Sequence, residues 1–229
     1  GDVYKRQDIV ALAVSQNGLA LQFASKNLCS NRDVVMKAVS QNPAASRFAD
    51  VRRFDEASLL RLVELSRDVL FLKDAAEGIL CSRCFALRAV RLNGMVLQFL
   101  DRALRDDEVI VLEALRQNAR AIQFASVRLL EDVGFATDVV HAFPSTYKHF
   151  SAAVRHCSAV VDMLSATPEP VLADVPESLR IDASFVVECI QRNPRNLLDT
   201  PACVQTAVIL QSIGDNWRWL AFLPEHLKR

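Results

Sequence analysis

A chain of 229 residues, 51 % hydrophobic and 24 % charged, is long enough to bury a core of its own, and its composition excludes disorder and low-complexity polymer. Lys plus Arg and Asp plus Glu number 27 each, so the formal net charge is zero and nucleic acid is an unexpected partner. No run approaches the roughly 18 apolar residues of a membrane span, and six cysteines spread through helical patterns read as reduced thiols of a cytoplasmic chain.

Taken in order, Gly1 to Gln7 fits no position of the pattern that follows and is similar to translated library-adapter sequence. Residues 1–7 are therefore set apart as a non-native leader, and 8–229 is read as one helical-repeat array, a fragment of something longer. The segment DIVALAVSQNGLALQFAS from Asp8 aligns with DVVMKAVSQNPAASRFAD from Asp33, and Asn17 to Asn42 and Phe23 to Phe48 are both 25 residues apart. The step recurs from Asn93 to Asn118 and from Phe99 to Phe124. Phe48 to Phe99 is 51 residues, which leaves room for a degenerate copy around Leu59 to Leu72. Asn193, Asn216 and Phe222 mark the last of about nine copies.

Within a copy, apolar residues stand eight, seven, four and three positions before the Asn. They are Ile9, Val10, Ala13 and Val14, then Val34, Val35, Ala38 and Val39. Later copies hold Phe85, Ala86, Ala89 and Val90, then Ile110, Val111, Ala114 and Leu115, and finally Phe185, Val186, Cys189 and Ile190. Such pairs make one stripe on a helix of about three turns. Asp8 and Asp33 stand where an N-cap is wanted. Asn followed by Gly18, Gly94, Pro43 or Pro194 reads as a helix stop in which Asn and Gly accept the left-handed conformation. A shorter helix centred on Phe follows, and an apolar residue comes five positions later, at Leu28, Leu104, Leu129 and Leu227. Neither helix can bury its stripe alone. The fold expected is therefore all-α, an α-solenoid in which each unit covers the next. An irregular middle is expected over 131–182, where Pro144 ends a helix and TPEP (Thr167 to Pro170) looks like a linker.

The motif D-[VI]-V-x-x-A-V-x-Q-N-G-x-A-L-Q-F-A-S, carried best by Asp8 to Leu28, Asp33 to Asn42, Leu92 to Asp107 and Gln117 to Leu129, resembles a family of short tandem repeats known as a domain of unknown function. That family occurs in bacterial effector-like proteins and protists. The resemblance implies a helical fold, and no catalytic motif, cofactor or metal comes with it.

Chemistry is sparse. Cys81-Ser82-Arg83-Cys84 is a lone C-x-x-C with no second pair to complete a zinc site. His141, His149, His156 and Cys157 cluster loosely, and no spacing ties Asp162 or Glu169 to them. Trp217 and Trp219 belong to the last copy as a cap or contact point. The recurrent polar signal is glutamine: Gln16, Gln41 and Gln117 before the Asn, and Gln22, Gln98 and Gln123 before the Phe. Those six residues form either a ladder of hydrogen bonds joining neighbouring units or a row of amides that contacts an extended peptide. The function expected by analogy of fold is a non-catalytic scaffold for an unknown protein or peptide. Two alternatives are the repeat region of a larger effector or enzyme whose catalytic domain lies elsewhere, and an RNA-binding repeat array.

Overall fold

The computed structural model describes residues 2–66, 68–166, 180–192 and 196, and every regular element among them is helical. Long α-helices recur at the period of the sequence: α1 (Asp2–Gln16), α2 (Arg32–Gln41), α3 (Glu56–Leu65), α4 (Arg83–Leu92), α5 (Glu108–Gln117), α6 (Val133–Ala142), α7 (Ser158–Ala166) and α8 (Ala183–Arg192). Asp2 to Gln7, set apart on sequence grounds, continue α1 without a break. The chain divides into two compact units, Gly1–Ser126 and Val127–Arg229. In the first, α1 packs on α2, α2 on α3, α3 on α4 and α4 on α5; in the second, α6 packs on α7 and α7 on α8.

The apolar stripes form the core. Val34, Val35, Ala38 and Val39 are buried on α2, and the same four slots are buried on α4, α5, α6 and α8. On α3 they hold Ser58, Leu59, Leu62 and Val63, with the Ser58 hydroxyl tied to Asp55. The α1 stripe is only half covered: Val14 is fully buried, whereas Ile9 is 67 % exposed.

The caps differ from expectation. Asp33 lies in the first turn of α2, and the residue that caps this helix is Asn31, whose side chain accepts from the amides of Asp33 and Val34. Asp55, Ser82, Asp107 and Asp132 do the same for α3 to α6. The cap therefore sits two residues earlier, where the chain is still extended and a side-chain oxygen can reach back to the free N–H groups. Asp33 instead places its charge against the positive end of the helix. Asp8 is inside α1 and caps nothing.

The Asn stops also work by another mechanism. Among the described residues no backbone φ is positive. Asn17, Asn42, Asn93 and Asn118 are extended, with φ between −143° and −154°, and each side chain accepts the N–H two residues on at 3.0 to 3.1 Å. One residue thus ends the α-helix and caps a six-residue 3-10 segment. These segments are Gly18–Phe23, Pro43–Phe48, Gly94–Phe99 and Ala119–Phe124, with Pro144–His149 in the second unit. They stand where a short helix centred on Phe is expected, and in the first four the Phe is the last residue instead. What they bury is the pair three and four positions after the Asn, such as Val96 and Leu97, or Ala121 and Ile122. The apolar slot beyond the Phe falls on a separate one-turn helix: Leu104 is buried in Arg102–Arg105, Leu129 in Val127–Glu131, and Leu28 is half-buried in Lys26–Cys29.

Asp68 is the disguised stop of the degenerate copy. Its carboxylate accepts the Leu70 amide at 3.0 Å, as the Asn side chains accept the N–H two residues on, although Val69 intervenes as the residue that caps the short 3-10 segment Leu70–Asp74. Asn42 to Asp68 is 26 residues and Asp68 to Asn93 is 25, which accounts for the 51 between Phe48 and Phe99. Among the described residues the step is interrupted at 49–68. From 131 to 166, α6, Pro144–His149, Ala152–Arg155 and α7 keep the step; Pro144 follows the end of α6 and is the first residue of a 3-10 segment. Thr167 to Pro170, Asn193, Pro194, Cys203, Asn216, Trp217, Trp219, Phe222 and Leu227 lie outside the described residues.

In the unit Val127–Arg229, Tyr147 fills a core slot and is fully buried. Its hydroxyl donates to the Arg155 carbonyl at 2.5 Å, and burial pushes its pKa up to about 12, against the opposing pull of the Arg155 charge. The folded pKa lies above the ordinary 10.0, so the stability this phenol contributes is complete below pH 10 and is lost as pH rises toward about 12. Absorbance titration should show one of the two tyrosines, Tyr4 and Tyr147, ionising only near pH 12 or together with alkaline loss of helix. Two tyrosines ionising near pH 10 with the helices intact would contradict this placement.

Candidate functional site

Inside the unit Gly1–Ser126 the repeated polar residues separate into a seam and an edge. The seam is between neighbouring copies. Gly18 and Gly94 are buried, and a methyl group at either would collide with a carbonyl oxygen of the next copy, that of Ala38 or of Ala114. This close approach, with no left-handed turn involved, is why glycine follows the Asn. It also leaves an amide facing the next helix end. The Gly94 N–H donates to Gln117 Oε1 at 2.7 Å, and the Gly18 N–H donates to Gln41 Oε1 at 2.5 Å. Gln41 Nε2 in turn donates to the Gln16 carbonyl at 3.2 Å, so one amide group spans both. Where proline follows the Asn, at Pro43, there is no N–H to satisfy, and the next copy has Leu65 at the end of its helix.

A second ladder is made of backbone. Asp50 N–H donates to the Cys29 carbonyl at 2.9 Å, and Ser126 N–H to the Arg105 carbonyl at 3.0 Å. Exposed ion pairs also join copies: Arg83 to Asp107 at 2.7 Å, Arg91 to Glu113 at 3.0 Å, and Arg32 to Asp55 at 3.6 Å. Solvent-screened pairs of this kind contribute little, so the seam depends far more on burial than on charge.

The edge comprises the fifth and sixth residues after each Asn or Asp stop: Gln22 and Phe23, Arg47 and Phe48, Lys73 and Asp74, Gln98 and Phe99, Gln123 and Phe124. Gln22, Arg47, Lys73 and Gln123 are exposed. Phe23 is 84 % exposed and Phe48 37 %, while Phe99 and Phe124 are half-buried. Gln98 donates to its own Met95 carbonyl at 3.1 Å. The landmark aromatic of the repeat is therefore exposed at Phe23 and Phe48 and partly covered at Phe99 and Phe124. Of the six glutamines singled out, Gln41 and Gln117 engage the preceding copy through their amides, Gln16 is exposed and contributes its carbonyl, and Gln22, Gln98 and Gln123 lie on the edge. In the second unit Lys148 and His149 occupy the corresponding positions.

Other chemistry stays dispersed. Cys81 and Cys84 are exposed free thiols on either side of the Ser82 cap. Burial pushes the Cys29 thiol up, with Asp50 adding to the effect, and its sulfur faces the Leu21 and Ala24 carbonyls. His156 meets the Ala152 carbonyl of its own one-turn helix at 2.7 Å, while the rings of Phe135 and Phe150 meet at a tilt of 60° with centroids 6.3 Å apart. Among the described residues no group of three or more His, Cys, Asp or Glu is placed to hold a metal ion, and no helix is long and apolar enough to cross a membrane.

No curated protein and no solved structure matches the chain. The profile of a family described as a domain of unknown function (DUF4116) matches residues 7–52 and again 82–130. The first stretch holds the Gly18–Gln41 clasp and the second the Gly94–Gln117 clasp, so the chain carries two segments similar to that family, each spanning a pair of stacked copies.

Proposed function

We propose that the chain is a non-catalytic interaction scaffold, an α-solenoid of about nine tandem repeats that holds an extended protein or peptide segment along its 3-10 edge. The observation that carries the reading is the exposure of Phe23 and Phe48, at a position the repeat fills with aromatic residues again and again. An aromatic side chain left in water gives up about 1.5–3 kcal/mol of burial, so its recurrence at the surface favours a contact made with something else. The neighbouring Gln22 and Gln123 add side chains that both donate and accept, which suits a peptide backbone. Stacked copies set equivalent positions side by side. Gln41 and Gln117 would serve this function indirectly, by fixing the spacing of the copies.

Affinity capture from a lysate of the source organism tests the reading with three baits. They are the parent chain, an edge variant (Gln22→Glu, Phe23→Ser, Gln123→Glu), and a control altered on the exposed face of the long helices (Lys37→Ser, Arg61→Ser). The edge variant should lose the parent's partners by about tenfold or more, with the control retaining them. Equal recovery by both variants, or recovery abolished by ribonuclease, would sink the proposal.

A further inference from the structure

One stretch of the first unit departs from the repeat in a way that packing alone does not require. One-turn helices occupy the linker in the neighbouring copies, at Lys26–Cys29, Glu77–Leu80 and Arg102–Arg105. After Phe48 the chain instead makes a bend with Arg52 and Arg53 at its tip. The bend is firmly held. Val51 and Phe54 are buried on either side of it, the Phe54 N–H donates to the Val51 carbonyl at 2.9 Å, and the Asp50 N–H is bonded to the preceding copy. Fixing the backbone in advance lowers the entropy a ligand would have to overcome.

Two adjoining depressions of about 360 and 310 Å³ lie at this bend and share Lys26, Asp50 and Arg52. Arg53 lines the first; Arg47, Phe48 and Asp74 line the second. Arg52 is locked by a two-pronged pair with Asp50, Nε to Oδ1 at 2.8 Å and Nη2 to Oδ2 at 2.6 Å. That contact neutralises Asp50 and fixes the guanidinium plane. Arg47 leans on Asp68 at 3.2 Å. Lys26 and Arg53 are exposed and have no ion-pair partner among the described residues. Four cations thus meet three carboxylates, Asp50, Asp68 and Asp74, in a chain whose total charge is zero; with Arg52 on Asp50 and Arg47 on Asp68, Lys26 and Arg53 are left against Asp74. Phe48 provides an apolar surface next to them and belongs to the edge described above.

We infer that Lys26, the Arg52–Arg53 bend and Phe48 form a docking site for an acidic peptide segment, with a Glu or Asp side chain seated against Lys26 and Arg53 and an adjacent apolar residue against Phe48. The charge pattern favours a peptide over a nucleic acid strand. Carboxylates at Asp68 and Asp74 flank the cations, and a continuous run of phosphates would pass both, whereas isolated carboxylates spaced by apolar residues would not. The inference rests on the scaffold reading and names a partner chemistry for one part of its edge.

Fluorescence anisotropy with a labelled octapeptide of alternating Glu and Leu tests it on the full chain at low salt. Saturable binding is expected. Lys26→Glu with Arg53→Glu should raise Kd by about tenfold or more, and Lys26→Arg with Arg53→Lys should keep binding. Arg102→Glu with Arg120→Glu makes the same change in net charge elsewhere and should leave Kd within about twofold; circular dichroism confirms that each variant is folded. No saturable binding, equal weakening by both charge-reversed pairs, or tighter binding of an eight-nucleotide oligothymidylate through the same two residues would each overturn the proposal. The capture variants touch neither Lys26 nor Arg53. Lost octapeptide binding with capture intact therefore overturns this inference alone, and the reverse overturns the scaffold alone.

Discussion

Truncating Phe85 to alanine is expected to destabilise the unit Gly1–Ser126 by about 3–5 kcal/mol, the range for a buried aromatic reduced to a methyl group. Phe85 is fully buried in the α4 stripe, and its backbone N–H is held by the Ser82 cap, so the side chain is fixed at the start of the helix. The matching slots of α2 and α5 hold Val34 and Ile110, both buried, so this position anchors each long helix to the stack. A copy in such an array touches only its neighbours, so distant parts cannot compensate for the cavity. Urea unfolding followed by circular dichroism should show the midpoint falling with little change in slope. Phe23→Ala is the comparison: the same residue type at 84 % exposure should change stability by no more than about 0.5 kcal/mol. Similar losses from both would mean that core and edge have been assigned wrongly.

Gly94→Ala is the second large effect. The new methyl group would collide with the Ala114 carbonyl and stand 3.1 Å from Gln117 Oε1. The obstacle is backbone of a packed helix, which cannot rotate away as a side chain end can. Relief requires moving α5 off the segment that begins at Gly94, with loss of the clasp between Gly94 and Gln117. A cost of about 3 kcal/mol or more follows, on the order of 10 °C in melting temperature. Gly78→Ala is the matched control, because a Cβ there meets nothing within 4 Å and the residue lies in the one-turn helix Glu77–Leu80. It should be neutral or stabilising by about 0.5–1 kcal/mol. Equal melting temperatures for the two variants would contradict the close approach at Gly94.

The long helices were readable because their stripes repeat in register, and burial follows those slots closely from α2 onward. The Asn landmarks were readable as boundaries, but the mechanism was not. An Asn that ends a helix in the left-handed conformation and one that caps the next segment while extended leave the same mark in a sequence. The equivalence of Asp and Asn as side-chain acceptors was the missed signal, since it identifies Asp68 as the stop of the degenerate copy and places the extra residue before it. The N-cap of α2 stands two positions before Asp33, at Asn31, and was hidden because an acidic residue is favoured in the first turn of a helix as well as at its cap. Periodicity could not reveal that Phe23 and Phe48 face solvent, because a repeated aromatic marks a core slot and a binding edge alike. The covariation of Gly with Gln, and of Pro43 with Leu65, was present in the sequence. Its meaning emerges only when the two copies are stacked.

The stacking of copies through a glycine amide and the next copy's glutamine is tested most directly by hydrogen exchange at glycine. The chain has six glycines, so glycine-selective ¹⁵N labelling gives few peaks. Gly18 and Gly94 amides should exchange far more slowly than that of the exposed Gly78. Gln41→Ala should release Gly18 alone and Gln117→Ala Gly94 alone, each by about 1–3 kcal/mol of protection. Exchange at Gly18 and Gly94 as fast as at Gly78, or unchanged by these substitutions, would contradict the stacking.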